Sequence, residues 1–331
     1  MKRATIEDVA QAAGVSRQTV SRAMNDKNEI SQETKERVMR AVEELGYRPN
    51  RMAQSMVTQR THAIGMLMAD ITNPFFPEVT RGVQDVAQAN GYNVFVCNTD
   101  DRADLELQEL HSLAAQGVDG IIVFSHNSSE ENMRAFADTY QPMVFVNRAF
   151  EHPHVSIMMV DNYHGAQIAV DYLVAQQRQN IGMLTNNSAS YRTSRRLLGF
   201  QQGLASHQLP CTEIQIVPEA ANLDGGYRAA HRLLDAFPAV DAIFTYNDLM
   251  AMGALRACNE RGRLVSEDIA IIGFDDIQFA RMITPALTTI RVDKYGIGQM
   301  AMSRVMEMIN APGETFETIL IEPELVIRET A

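Results

Sequence analysis

The sequence predicts an α/β protein: an N-terminal helix-turn-helix three-helix domain followed by two Rossmann-like parallel-sheet lobes. Three observations predict it. The first sixty residues carry apolar side chains at helical spacing, broken by glycine. Beyond them, apolar runs of strand length alternate with amphipathic stretches, the pattern of parallel sheets covered by helices on both faces. The 331 residues, 46% hydrophobic and 21% charged, leave room for more than one core.

In chain order, Thr5 caps a helix whose inner face is Ile6, Val9, Ala10 and Ala13, and Gly14 ends it. Val15 crosses the turn. Ser16 caps a second helix over 17–24, with Val20, Ala23 and Met24 inside and Arg17, Gln18, Ser21 and Arg22 outside. Ser31 caps a third, with Val38, Val42 and Leu45 inside and Gly46 at its end. A helix, a tight glycine turn and a helix with a polar outer N-terminal end make a helix-turn-helix. Such a second helix enters the major groove end-on. Gln18 suits adenine bidentately, and Arg17 or Arg22 suits guanine or a phosphate. Thr5, Ser16, Thr19, Ser21, Asn25 and Ser31 can donate to phosphates. A plain three-helix bundle with a solvated polar face is the competing reading. Charge favours the first: residues 1–60 hold 11 Lys/Arg against 8 Asp/Glu, while the rest hold 18 against 33, within a net charge of −12. A mildly basic head on an acidic body fits a head facing a polyanion.

The run 5–10 and then 14–25, with Val42-Glu43-Glu44-Leu45-Gly46-Tyr47-Arg48-Pro49-Asn50, closely resembles the head of LacI/GalR-type bacterial transcription repressors. The resemblance implies that Arg17 and Gln18 read bases and that Arg22 supports them. Residues 1–46 then form the DNA-binding domain and 47–60 a hinge. In that family the hinge becomes helical only on operator DNA, and a pair of hinges wedges an apolar residue into the minor groove. Here Asn50 can cap the segment, Arg51 and Ala53 lie on it, and Met56 occupies the place where the wedge is usually Leu.

In the body, one set of strands is expected at 63–69, 93–98, 118–124 and 143–146, and another at 157–160, 181–184, 214–217, 242–245 and 269–274. Nine strands exceed one sheet of ordinary size. Ligands of such folds sit beyond the C-terminal strand ends, and in a two-lobed protein within the cleft. That rule marks Asp70, Asn73, Asn98, Ser125, Asn147, Arg148, Asp161, Asn186, Asn247, Asp248, Asp275 and Asp276. Their amides and acids suit hydroxyls, an Arg forks across two oxygens, and Phe75 and Phe76 can stack on a sugar face. No glycine-rich loop with a Lys accompanies them, so a neutral polyol is expected rather than a phosphate. Helix capping by the same Asp and Asn residues is the competing reading.

The resemblance continues from residue 61 to the end through Asn73-Pro74-Phe75-Phe76, Arg196 before Leu197-Leu198-Gly199-Phe200, Asn247-Asp248-Leu249-Met250-Ala251-Met252-Gly253-Ala254 and Gly273-Phe274-Asp275-Asp276. It is similar there to periplasmic ribose- and galactose-type binding proteins, the type I fold. It implies a body over 61–331, with one lobe at about 61–160 and 293–320 and the other at about 161–290 and 321–331. It further implies a ligand site of Asn73, Phe75, Phe76, Asn147, Arg148, Arg196, Leu223, Asn247 and Asp275, to which the strand-end rule adds Asp70. Asn147 stands where ribose-type members often carry Asp, and Val292 where Gln is common. Arg192 is a further contact or a surface residue.

The function so expected is that of a repressor whose grip on a near-palindromic operator is switched by a small effector, a sugar. A nucleobase, a nucleoside or a phosphoprotein partner is the alternative signal; a sugar-binding protein without DNA-dependent function is the rival class. No cofactor or metal is expected, since His152-Pro153-His154 lacks a third ligand, and no hydrolase elbow, H-E-x-x-H or Walker loop argues for an enzyme. Cys97, Cys211 and Cys258 form no disulfide framework. No apolar run of membrane-spanning length and no signal-like h-region appear, so a cytoplasmic location is expected. In the family it resembles, tetramers carry an extra C-terminal leucine-heptad tail; here the strand-like 324–328 is followed by only three residues, so a homodimer is expected.

Overall fold

The computed structural model describes residues 4–24, 30–48, 60–124, 127–140, 142–148, 150, 152–188 and 190–331. It separates into two units, Met1–Thr61 and His62–Ala331.

The first unit holds α1 (Ile6–Ala13), α2 (Arg17–Met24) and α3 (Gln32–Glu44). A reciprocal capping box starts α1: the Thr5 N–H donates to Asp8 Oδ2 at 2.7 Å while Thr5 Oγ1 accepts from the Asp8 N–H at 3.3 Å. Gly14 ends it at φ +63°, a left-handed position that needs no Cβ. Ser16 accepts from the Thr19 N–H at 3.2 Å and Ser31 from Thr34 at 3.3 Å, starting the next two helices. Val9, Ala10, Ala13, Val20, Ala23, Val38 and Ala41 form the core. Leu45, expected inside, is 40% exposed. The left-handed turn at Gly46 (φ +59°) brings Tyr47 onto the core instead.

The second unit contains two six-stranded sheets. The first has the order β11-β5-β4-β3-β1-β2, from β1 (Ala63–Met68), β2 (Asn93–Asn98), β3 (Gly120–Val123), β4 (Met143–Val146), β5 (Val155–Val160) and β11 (Ile319–Ile321). All its pairings are parallel. The second has the order β12-β10-β9-β8-β6-β7, from β6 (Ile181–Asn186), β7 (Ile216–Glu219), β8 (Ala242–Thr245), β9 (Ala270–Asp275), β10 (Thr288–Arg291) and β12 (Glu324–Val326). Here only β12 is antiparallel, to β10.

The helices are α4 (Phe75–Ala89), α5 (Ala103–Ala115), α6 (Glu130–Thr139), α7 (Asn162–Ala175), α8 (Tyr191–Ser206), α9 (Leu223–Ala236), α10 (Asp248–Glu260) and α11 (Lys294–Asn310). α11 packs on α4 and the first sheet; α7 packs on α8 and the second. The chain therefore passes between lobes three times: before α7, before α11, and between β11 and β12.

The structure corrects three sequence expectations. The strand at 157–160 belongs with the first set, since β5 pairs with β4 from Met143↔Val155 onward. β10 and β11 were not anticipated. In β10 the reason is that Thr288 and Thr289 look polar, yet both are fully buried with bonded hydroxyls: Thr288 Oγ1 accepts from the Arg328 N–H and Thr289 Oγ1 donates to Asp248. Finally, β2 is not covered on both faces: it is an edge strand, and Phe95 and Val96 are exposed.

Candidate functional site

On the head, Arg17, Gln18, Ser21 and Arg22 stand exposed on α2, while Val20 and Ala23 are buried. The Arg17 Nε lies 3.4 Å from the exposed Glu7 carboxylate of α1, which orients it along the outer face. Thr5, Ser16, Thr19 and Ser31 spend their hydroxyls locally: Thr5 Oγ1 donates to Asp8 at 2.7 Å, Ser16 and Thr19 bond to each other at 2.9 Å, and Ser31 bonds to Thr34 at 2.9 Å. Their first role is thus to set the helices. Asn25, Asn50, Arg51, Ala53 and Met56 lie outside the described residues.

In the body, the C-terminal strand ends of both sheets face a cleft of about 490 Å³ including its open mouth. The first lobe contributes Ala69, Asp70, Asn73, Phe75, Phe76 and Asp101; the second contributes Asn186, Arg192, Arg196, Ala221, Tyr246, Asn247 and Asp275. Phe75 and Phe76 meet edge to face at 5.4 Å between centroids and form the apolar floor. Several polar residues spend one atom on local structure and keep the rest for the cleft. Asp70 Oδ1 accepts from the Thr72 N–H and hydroxyl and Asn73 Oδ1 from the Phe75 N–H, whereas Asn247 engages both ends: Oδ1 caps α10 by accepting from Met250 at 2.9 Å and Nδ2 donates to the Ala221 carbonyl at 3.0 Å. The capping and pocket readings therefore both apply, to different atoms.

Arg196 is the hub of the second wall. It is buried, its Nε donates to Asn162 Oδ1 at 2.8 Å, one Nη donates to the Tyr246 carbonyl, and the other lies 3.4 Å from Asp275 Oδ1. Its guanidinium also lies over the Phe274 ring at 3.6 Å. Burial pushes the Asp275 carboxyl up; Arg196, Arg192 and Lys294 act in the opposite direction. Asp275 holds φ +107°, a strained position of the kind that gathers at functional sites. Beneath it, Asp248 is wholly buried. Desolvation and then the Asp275 charge drive its carboxyl well above the ordinary range, against hydrogen bonds from Thr289 and the Ile277 N–H.

The structure does not bring Asn147, Arg148 or Leu223 into this lining. Asn147 Oδ1 accepts from the Val160 N–H at 2.8 Å and from Asn162, tying β4 to β5 and α7. Arg148 turns away to Glu106, Nη1 to Oε1 3.0 Å, and donates to the Ser128 carbonyl. Glu106 is fully buried and also accepts from the Asn127 and Ser128 N–H groups, so the pair is a satisfied structural cluster. Leu223 begins α9 and is 40% exposed. Of the other strand-end residues, Asn98 bonds to Ile71 N–H and Asp100, Asp161 caps α7, and Asp276 pairs with Arg291 and Arg328. Ser125 lies outside the described residues. Asp101 and Tyr246 are lining residues that the strand-end rule passed over. Among the described residues, no group of three or more His, Cys, Asp or Glu side chains could hold a metal ion, and no helix is long and apolar enough to cross a membrane.

A helix-turn-helix unit and a two-lobed α/β unit with a polar interlobe cleft define the class of ligand-sensing DNA-binding regulators. Residues 5–50 match the bacterial regulatory proteins of the lacI family, and residues 61–329 match the periplasmic binding proteins and sugar-binding domain of the LacI family. The chain is 32% identical to an HTH-type transcriptional repressor PurR of Pasteurella multocida, covering 99% of this chain and 98% of the relative. It is 33% identical to a ribose operon repressor of Halalkalibacterium halodurans, covering 98% and 96%. Among solved structures it is similar to the Lac repressor dimer bound to operator and the anti-inducer ONPF, with 28% identity, a TM-score of 0.91 and 99% of each chain covered. The chain belongs to the LacI family: it is a DNA-binding transcriptional repressor with an effector-binding body.

Proposed function

We propose that this repressor acts as a homodimer on a near-palindromic operator and that a sugar-like effector, bound between its lobes, sets its operator affinity. The observation that carries the effector reading is the cleft: two lobes contribute Asp70, Asn73 and Asp101 on one side and Arg196, Asn247 and Asp275 on the other, over the paired rings of Phe75 and Phe76. A ligand touching both walls favours the closed arrangement by its differential affinity for it. Residues 1–46 supply DNA binding, 47–60 the coupling segment and 61–331 the sensor. Arg17 and Gln18 read bases, supported by Arg22. Asn50, Arg51, Ala53 and Met56 engage DNA from the coupling segment.

Dimerisation is supported by the dimeric Lac repressor to which this chain is similar and by apolar residues on the body's surface. Phe95 and Val96 on the edge strand β2 are exposed, as are Phe279 (41%) and Met282 (69%); a second copy covers such an edge and such a patch. The relatives' roles as repressors support a regulator rather than an enzyme, acting in the cytoplasm where operators are. The function is tested by selecting duplexes from a random pool with the full-length protein. A near-palindromic site should emerge, and Gln18→Ala should lose base preference at one position of each half-site, by about 1–3 kcal/mol. Selection of no common sequence contradicts the proposal.

A further inference from the structure

Arg192 stands on the first turn of α8, four residues before Arg196, and lines the same cleft. The two arginines differ in how the protein satisfies them. Arg196 has Asn162, the Tyr246 carbonyl and Asp275. Arg192 has no such set: its Nε is shielded from solvent and finds no hydrogen-bond partner in the protein, and it acts on the Asp275 carboxylate only as an attraction at longer range. A shielded guanidinium N–H without an acceptor is costly, and more so once a closing cleft removes water from the rest of the group.

The walls are also unlike each other. The first lobe offers acceptors. Asp70 and Asp101 each have Oδ1 engaged, by Thr72 and by Asn127 Nδ2 at 3.1 Å, which leaves Oδ2 for a hydroxyl. The second lobe offers two guanidiniums against the single carboxylate of Asp275, which Arg196 already holds. A neutral polyol would satisfy the first wall and offer Arg192 only uncharged hydroxyl oxygens. A ligand with hydroxyls at one end and an acid at the other satisfies both.

We propose that the effector is an anionic polyol, a sugar acid or a sugar phosphate, whose acidic group is held by the Arg192 fork while its hydroxyls donate to Asp70 and Asp101. This rests on the cleft being the effector site. It also revises the neutral ligand that the strand-end residues alone suggested, because the lack of an acceptor for Arg192 is a property of packing and not of sequence.

The test is calorimetry and thermal shift on the full-length protein with matched probes at fixed ionic strength. These are gluconate, glucuronate and glucose 6-phosphate against glucose; galacturonate against galactose; and ribonate and ribose 5-phosphate against ribose. At least one acid should bind about tenfold or more tightly than its neutral partner, and the carboxylate and phosphate arms distinguish the two sources of charge. Arg192→Gln should shrink that preference to within about twofold, while Arg192→Lys keeps part of it. Both variants should melt within about 2 °C of wild type without probe, because the replaced group loses only a longer-range attraction to Asp275. A neutral sugar bound as tightly as its acid overturns the proposal and leaves the cleft reading standing. So does an Arg192→Gln protein that weakens acid and neutral probes alike, the outcome expected if Arg192 serves only to meet Asp70 or Asp101 across a closed cleft. Silence from every probe counts against both.

Discussion

Arg196 illustrates how one side chain can be both structure and site. Its guanidinium links α7 through Asn162, the end of β8 through the Tyr246 carbonyl, and the end of β9 through Asp275, so removing it takes from a buried carboxylate its one ion-pair partner among the described residues. Arg196→Ala should cost about 3–5 kcal/mol in denaturant unfolding of the body, as expected for breaking a buried ion pair from one side. Asp248 makes the opposite case, a carboxyl that folding pushes toward neutrality. Because its folded pKa is raised, the stability it contributes is full below the unfolded value and is lost as pH rises through the folded one. Asp248→Asn should therefore gain on wild type as pH is raised from about 4 to 8; a stability difference that stays flat with pH contradicts the assignment. At this scale the sequence was partly readable. The strand-end rule found Asp70, Asn73, Asn247 and Asp275 because a parallel sheet aims all its strand ends at one side. It passed over Asp101, which reaches the cleft only because Asp100 and Asp101 both adopt left-handed backbone (φ +50° and +54°). It misplaced Arg148, since nothing local announces that Glu106, 42 positions earlier, lies buried beside it.

The elements are held at distances that only glycine permits. A Cβ on Gly82 of α4 would stand 2.2 Å from the Tyr295 carbonyl oxygen of α11, and one on Gly298 of α11 would stand 2.1 Å from the Val79 carbonyl oxygen of α4. The two helices thus cross backbone to backbone, and Gly82→Ala must push them apart. The expected cost is about 1–3 kcal/mol, read as a lower urea midpoint with an unchanged slope. This contact was invisible in the sequence, where both glycines sit inside helical patterns as apparent weaknesses. What was legible were the buried strands, because β1, β3, β4, β6, β8 and β9 are nearly continuous apolar runs that only a covered parallel sheet can use. The edge strand β11 is only three residues long, and half-polar β10 hides its hydroxyls in bonds to Arg328, just past β12, and to Asp248 on α10; neither carries a periodic signal of its own.

At the scale of the body, the three chain crossings join the lobes beside the cleft. At the second crossing the Lys294 ammonium, almost wholly buried, donates to the Asp275 carbonyl at 2.8 Å and to the Asp276 carbonyl at 2.6 Å, and stands 3.7 Å from Glu78 on α4. Asp276 is held in turn by Arg291 and Arg328; burial works against its charge, but those hydrogen bonds outweigh it and keep its carboxyl below the usual range. A cleft residue, a crossing and the first lobe are therefore connected through Lys294. The two-lobed organisation followed from counting strands, whereas the return of 293–320 to the first lobe, where α11 lies, came only from the family resemblance, since it depends on packing far along the chain.

Whether cleft occupancy changes operator affinity is read from the anisotropy of a labelled operator, obtained by selection, titrated with the full-length protein at zero and saturating effector, with saturation established by calorimetry. Operator Kd should move by at least about fivefold, the lower end of ordinary allosteric coupling. An operator Kd that stays the same with the cleft fully occupied would contradict the account.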